Sequence, residues 1–121
     1  MTPRCPSINA IIDAAEDTFA LSRGTLSLSL QRTRVPMVAR SVAAHLLHEL
    51  RGMSQPEIAK ALCLRAHSAV GRLLSVAADR LTADEPYLID GVETGYRQIV
   101  AAVRDRAWWL TMDRLPREVS A

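Results

Sequence analysis

The chain of 121 residues is 49% apolar and 4% aromatic, and it carries a formal net charge of +2. This length suits one domain with a modest core, and no stretch approaches the ~18 consecutive apolar residues of a membrane-spanning helix. The N-terminal MTPRCPSINA lacks the apolar core of a secretory signal and two cysteines cannot form a disulfide framework, so we expect a cytoplasmic protein without a membrane segment.

Composition and charge distribution point to helices and to a local basic surface. Alanine and leucine dominate the apolar residues, while valine and isoleucine do not form alternating runs, which predicts an all-α fold, a small helical domain. Residues 31–72 hold six arginines and one lysine against two glutamates, a net charge of +5. Such a block is typical of a phosphate-binding surface, although an ordinary solvated face can have the same composition.

The first predicted helix covers residues 8–20. Ser7 is suited to cap its N-terminus, and apolar residues recur at helical spacing at Ile8, Ile11, Ile12, Ala15 and Phe19. The following segment, LSRGTLSLSL, contains a break at Arg23-Gly24. Its leucines alternate with serines, but a single strand would have no partner, so we expect a short helical turn or an extended linker.

A long helix is predicted over residues 36–51, directly after the basic stretch QRTRVP. Pro36 fits the first turn of this helix. Val35 is disfavoured in a helix because it precedes proline. Gly52 is placed to cap the C-terminus.

Two further helices follow closely. In SQPEIAKAL, Ser54 and Glu57 form a capping box and Pro56 lies in the first turn, which predicts a short helix over 55–62. CLRA is the turn, and a longer helix follows over 66–81. A short capped helix, a tight turn and a longer helix make a helix-turn-helix, in which the N-terminal end of the second helix enters the major groove of DNA.

Residues 65–69 form that N-terminal end. Arg65, His67 and Ser68 are all hydrogen-bond donors there, and free backbone N–H groups at a helix start favour phosphate. Capped helix pairs also occur in proteins that bind no DNA, so the pattern alone leaves an ordinary helix pair open.

Other kinds of site are disfavoured. Neither Cys63 with His67 nor His45 with His48 has an evident third metal ligand. A nucleophilic pair of Ser68 and His67 would need the two side chains to face each other, but adjacent helical residues diverge. The sequence therefore predicts a protein that is not an enzyme and needs no cofactor or metal.

The C-terminal part is predicted to be one more helix. TADEP would begin it near Pro86, with Asp84 and Glu85 at the positive end of its dipole, and the glycines at 91 and 95 weaken its first half. From Tyr96 onward the apolar pattern is regular until Pro116 ends it. We therefore expect an additional C-terminal helix beyond the helix-turn-helix.

The stretch ARSVAAHLLHELRGMSQPEIAKALCLRAHSAVGRLL, with SQPEIA at 54–59 and RAHSAV at 65–70, resembles the C-terminal DNA-binding domain (domain IV) of the bacterial replication initiator DnaA. The resemblance covers about residues 8–100. It implies an N-terminal tail at 1–7, a helix-turn-helix domain at 8–100 and a C-terminal helical extension at 101–121. Because the chain has no Walker motif, it is expected to be a stand-alone relative without the initiator's ATPase.

The resemblance also implies a partner and site residues. The family binds double-stranded DNA with a basic loop in the minor groove and the helix-turn-helix in the major groove. By position, the implied DNA-binding residues of this chain are Arg32, Arg34, Arg40, Gln55, Pro56, Arg65, His67 and Ser68. The implied role is regulation of chromosome replication initiation, or of transcription, by a cytoplasmic, nucleoid-associated protein.

Several positions depart from the family pattern. Ala66 stands where the family usually has an aspartate that accepts a hydrogen bond from a base, and Ala69 where a second hydroxyl residue is usual. Cys63 and Leu64 replace two glycines of the turn, and His48 stands where a basic residue is common. Each lost contact is worth about 1–3 kcal/mol.

These departures leave a second function open. The chain would then be an interaction module that modulates the initiator or its regulatory ATPase, with weakened DNA binding. Trp108, Trp109 and Met112 are the candidate partner surface. The alternative for this tail is that it folds back and both tryptophan rings cover the core of the domain itself. The oligomeric state is not predicted.

Overall fold

The computed structural model describes residues 4–27 and 34–115. Within these ranges the chain forms five α-helices, a single 3-10 turn and one two-stranded hairpin, and the prediction of a mainly helical domain is confirmed. In chain order the elements are α1 (Ile8–Thr18), the 3-10 turn (Thr25–Ser27), α2 (Arg34–Arg51), α3 (Gln55–Ala61), α4 (His67–Ala83), β1 (Pro86–Ile89), β2 (Val92–Gly95) and α5 (Tyr96–Asp113).

The hairpin corrects the all-α expectation. The sequence predicted a helix starting near Pro86, whereas residues 86–95 form antiparallel strands in which Ile89 pairs with Val92. Asp90 and Gly91 connect the strands with φ values of 49° and 76°. Two consecutive left-handed residues make the turn whose twist matches that of a hairpin, and an Asp-Gly pair adopts it at little cost. The local turn chemistry therefore outweighed the weak helical pattern.

The predicted helix ends are largely confirmed. The Ser7 hydroxyl accepts the N–H of Ala10, and Gly52 has a φ of +61° and donates its N–H to the carbonyl of His48. The expectation that Val35 stays outside the helix is wrong, because α2 begins at Arg34. The proline at 36 falls in the first helical turn, where no N–H donor is needed, so the bias against a helical residue before it is overcome.

Asp84 lies at the start of α5 in space, as a helix-capping acid was expected to do, but the hairpin separates it from that helix in the sequence. It ends α4 in a left-handed conformation with a φ of 49°, and its Oδ1 accepts the N–H of Arg97 in the first turn of α5 at 3.0 Å. The hairpin between them returns the chain to this point. A Cβ at Gly95 would lie 2.6 Å from Asp84 Oδ1, so a larger residue there would push the Asp84 carboxylate away from its hydrogen bond to Arg97.

The core is built around α2, with α1 and α5 packed side by side against it. None of the helices in the described ranges combines the length and apolarity needed to cross a bilayer. The fully buried side chains include Ile11, Leu26, Leu47, Ile58, Val70, Tyr96, Ile99 and Val103.

The C-terminal helix belongs to this core. The boundary expected between residues 100 and 101 lies inside α5, and residues on both sides of it are buried, including Ile99, Val103 and Leu110. Thr111 Oγ1 accepts the N–H of Ser7 at 3.0 Å, which joins α5 to the start of α1. The described part of the tail therefore packs on the core, as the second of the two alternatives expected, but Trp109 does not cover the core, because its side chain is 54% exposed.

Candidate nucleic-acid interface

The turn between α3 and α4 is closed by backbone hydrogen bonds. The N–H of Leu64 donates to the carbonyl of Ala59 at 2.8 Å, and the N–H of Cys63 donates to that of Lys60 at 3.2 Å. Cys63 has a φ of +55°. This is the left-handed helix end that glycine usually supplies, so the chain makes a tight turn even though Cys63 and Leu64 replace the expected glycines.

The start of α3 is fixed by the predicted capping box. The Ser54 hydroxyl accepts the N–H of Glu57, and Glu57 Oε1 accepts the N–H of Ser54 at 3.2 Å. Hydrogen bonds from the Ser54 side chain and backbone lower the pKa of the Glu57 carboxyl. The carboxylate at position 57 is therefore committed to the cap, although it is exposed on the same side of the molecule as the predicted site.

Close packing of α3 on α4 places Gln55 beside the predicted reading end. A Cβ at Gly71 would meet Gln55 Nε2 at 3.6 Å, so the Gln55 side chain lies over the second turn of α4. Ile58 and Ala59 are buried beneath α3, and Val70 is buried beneath α4. The exposed side chain of Gln55 is thus held next to the first turns of α4.

The N-terminus of α4 is open. Ala66 is the N-cap residue, with extended φ and ψ of −115° and 133°, and no side chain accepts a hydrogen bond from the first turn. Arg65, His67 and Ser68 surround this end and are all exposed. The unsatisfied N–H groups of a helix start and the positive end of its dipole make such an end attractive to anions.

The outer face of α4 continues with small side chains and one more cation. Gly71 and Ser75 follow His67 and Ser68 along this face, and Arg72 lies one turn after Ser68 and is exposed. Small side chains allow another molecule to approach the helix closely. The sequence analysis did not select Arg72, although its position four residues after Ser68 puts it on the same face.

The cations of this face differ from most cations elsewhere in the described chain, because the latter have hydrogen-bond or ion-pair partners within the molecule. Arg23 and Arg106 pair with Asp17, Arg114 pairs with Asp13, and Arg97 donates to carbonyls at the end of α4. The cations on α3, on the turn and on the outer face of α4 differ: within the described part of the chain, no hydrogen bond or ion pair engages the side chains of Lys60, Arg65 and Arg72.

Arg40 has a different environment from the one implied by the resemblance. Its side chain is 3% exposed and its Nε donates to the carbonyl of Leu26 at 3.2 Å, while burial lowers the pKa of the guanidinium. The buried carboxylate of Glu16 accepts the N–H of the same Leu26 at 3.0 Å. Arg40 and Glu16 therefore hold Leu26 from both sides, just before the basic stretch, and a phosphate contact by Arg40 stays a prediction.

The other predicted residues divide into two groups. Gln55, Pro56, Arg65, His67 and Ser68 are exposed and come together on the α3–α4 side. Arg32 lies outside the described residues, and so does the side chain of Arg34, the first residue of α2.

The predicted partner surface lies elsewhere, on α5. Trp108 is half-buried, whereas Trp109 is 54% and Met112 48% exposed. The guanidinium of Arg106 stacks over the Trp109 ring at 4.7 Å from its centroid.

No group of three or more histidine, cysteine, aspartate or glutamate side chains that could hold a metal occurs within residues 4–27 and 34–115. The fold and the exposed donors thus define a small helical domain with an open cationic face on α3 and α4. No family model, curated protein or solved structure was found to match the chain.

Proposed function

We propose that this protein binds double-stranded DNA without catalysing a reaction, with α3 and α4 acting as a helix-turn-helix and α4 as the recognition helix. The observation that carries the proposal is the contrast in pairing. Apart from Arg4, the described arginines elsewhere are engaged within the molecule, whereas Lys60, Arg65 and Arg72 are exposed and unpaired in the described structure. Phosphate binding by these cations would break no internal ion pair, and released counterions would supply the affinity.

The open start of α4 supports the same proposal. Its first-turn N–H groups have no side-chain acceptor, and backbone N–H groups at a helix start are common phosphate ligands. His67 and Ser68 at this end would contact base edges and phosphates. Ala66 and Ala69 offer methyl groups in place of the usual polar side chains, and alanine methyls suit contact with the methyl group of thymine.

The biological role proposed for this binding comes from the resemblance to domain IV of DnaA. We infer a regulator of replication initiation, or of transcription, that acts by occupying DNA. The basic stretch with Arg32 and Arg34 would add contacts in the minor groove. The protein would then act as a nucleoid-associated cytoplasmic factor.

A second candidate function rests on α5. This helix is anchored in the core by Val103 and Leu110, yet it leaves Trp109 and Met112 largely exposed. Exposed tryptophan and methionine are enriched where proteins bind each other. We propose as the alternative that this surface contacts the initiator or one of its regulatory proteins.

The experiment that tests DNA binding compares two matched arginine removals. Fluorescence anisotropy on a labelled duplex would be recorded over a salt series for the parent and for Arg65→Ala/Arg72→Ala. The double variant should bind more weakly and lose about 0.9 from the log–log salt slope for each phosphate contact removed. Arg4→Ala/Arg104→Ala is the control, since both arginines are exposed outside α3 and α4, and Arg104 reaches only its neighbour Asp105 at 3.7 Å.

Two results would overturn the proposal. One is a parent protein that does not bind any duplex at low salt. The other is equal loss of affinity in the control and in the double variant, because binding would then follow total charge rather than the α3–α4 face. Circular dichroism of each variant checks that the fold is retained.

A further inference from the structure

A groove runs between the start of α2 and the side of α4. Its volume is about 620 Å³, and its walls combine apolar side chains with arginines: Met37, Leu64, Leu73 and Val76, with Arg72 and Arg80. Met37 is 43% and Val76 is 36% exposed, although both sit on helices of the core. Among the described residues that line it, none is acidic. The groove therefore presents an apolar floor with a positive rim.

The tip of the hairpin has the opposite character. Leu88 is 75% and Val92 is 64% exposed, the highest values among the large apolar side chains of the described residues. Asp90 and Glu93 stand beside them, and Glu93 is the cross-strand partner of Leu88. Neither carboxylate forms an ion pair within the described ranges. The tip thus joins two uncovered apolar side chains to two unpaired negative charges.

We propose that the hairpin tip of one copy of this protein docks into the α2–α4 groove of a second copy. Leu88 and Glu93 lie on one face of the hairpin and Val92 on the other, so Leu88 would pack on one wall of the groove and Val92 on the opposite wall. Glu93 would meet Arg72 at the rim, and both of these groups lack an ion-pair partner within one described chain. Both surfaces are apolar and they carry opposite charges, so the hairpin tip of a second copy fits the groove chemically.

The size of the contact determines its strength. A four-residue strand end inserted into one groove buries less surface than a standard protein interface, and contacts of that size are weak and transient. We therefore expect self-association in the micromolar to millimolar range, weakened by salt because one exposed ion pair contributes to it. The inference does not rest on DNA binding, although Ser68 and Arg72 belong both to the groove and to the proposed DNA-binding face, and its test contains no DNA.

The test is a charge exchange followed by sedimentation equilibrium of the full chain. Glu93→Arg and Arg72→Glu should each weaken self-association by about tenfold, since each places like charges together. The combination of both substitutions should restore it to about the parent level. Leu88→Ser, which changes no charge, should also weaken it. Asp105→Arg is the control, because Asp105 is an exposed acid on α5 away from both surfaces.

Three results would overturn the proposal. The parent protein could stay monomeric up to about 1 mM, which would leave no useful association. Association could survive Leu88→Ser and both charge reversals, or the combined variant could remain as weak as the single ones. Circular dichroism separates these results from loss of fold, and the restoration in the combined variant could not arise from misfolding.

Discussion

Replacing Ala66 with aspartate should stabilise the protein, because α4 is a long helix whose N-cap residue makes no side-chain cap. Ala66 already has the extended conformation of an N-cap residue. Ser7 and Ser54 show that this chain caps other helices in the ordinary way. An aspartate at position 66 could accept the N–H groups of the first turn without moving the backbone.

The expected gain follows from two contributions. A capping side chain in place of alanine is worth about 1 kcal/mol, and a negative charge at the positive end of the helix adds about 0.3–1 kcal/mol at an exposed site. Together these raise the free energy of unfolding by about 1–2 kcal/mol, which for a domain of this size is an increase in Tm of about 3–8 °C. The guanidinium of the neighbouring Arg65 is positive, so it would not repel the new carboxylate.

Thermal and denaturant unfolding followed by circular dichroism measure the gain. Ala78→Asp is the matched control, because Ala78 is exposed on the same helix but lies in its interior, where an aspartate cannot cap. The control should be neutral or slightly destabilised. Equal Tm values for the parent and the Ala66→Asp variant would refute the claim that the first-turn N–H groups of α4 lack a side-chain acceptor.

The same variant tests the orientation of α4 on DNA. If the start of this helix faces base edges, the new carboxylate should sharpen discrimination between the DNA site that domain IV of DnaA binds and scrambled DNA by about 1 kcal/mol, roughly fivefold. Binding competition between the two duplexes gives this ratio. A stabilised protein with an unchanged ratio would mean that residue 66 does not reach a base.

Further outcomes are expected from other substitutions. Cys63→Gly should raise the free energy of unfolding by about 0.5–1 kcal/mol in denaturant unfolding, because glycine adopts the left-handed turn without the steric cost that cysteine bears; a loss of stability would contradict the turn geometry. Truncation after Arg104 should abolish the cooperative thermal transition, since it removes the buried Leu110, the half-buried Trp108 and the hydrogen bond of Thr111 to the start of α1, a combined loss of several kcal/mol that is comparable to the stability of a small domain; a retained transition would show that the end of α5 is dispensable. Arg32→Ala/Arg34→Ala should lower the salt slope of DNA binding by about 0.9 per contact, and an unchanged slope would remove the basic stretch from the interface. Hydrogen bonding and charge from arginines lower the pKa of Asp17, so its stabilisation is full above the ordinary aspartate pKa near ~4 and is lost as the pH falls through the lowered value. Asp17→Asn should therefore flatten the acid limb of the stability curve by up to about 1 kcal/mol, and parallel curves would exclude this role.

Local signals predicted the helix ends well, because a cap depends on neighbours within a few residues. Ser54 and Glu57 form their capping box as expected, and the short helix and the turn after it follow directly. The hairpin was missed although Asp90-Gly91 is a strong local signal. The regular apolar pattern from Tyr96 onward was extended backward across it, and periodicity alone does not show where one element ends and another begins.

Long-range contacts could not be predicted in the same way. The burial of Arg40 depends on the carbonyl of Leu26, which lies 14 residues earlier in the chain, and nothing near Arg40 in sequence indicates that contact. The same holds for α5, whose packing on α1 assigns Leu110 to the core. In the candidate site, Arg65 and His67 are exposed at the start of α4, where the sequence placed them. That Arg72 lacks an ion-pair partner could not be predicted, because it depends on the positions of all the acidic side chains in the fold.

The pairing of α1 with α5 has a consequence for how the protein is made. Ser7 and Thr111, 104 residues apart, are joined by a hydrogen bond, and the buried side of α1 is completed by the helix that leaves the ribosome last among the described elements. Contacts so distant along the chain close slowly and only after synthesis has passed them. A chain stalled before residue 110 would hold α3 and α4 on an unfinished core with exposed apolar surface, which chaperones and proteases recognise. Incomplete synthesis would therefore yield substrates for quality control rather than shorter folded fragments that carry α3 and α4.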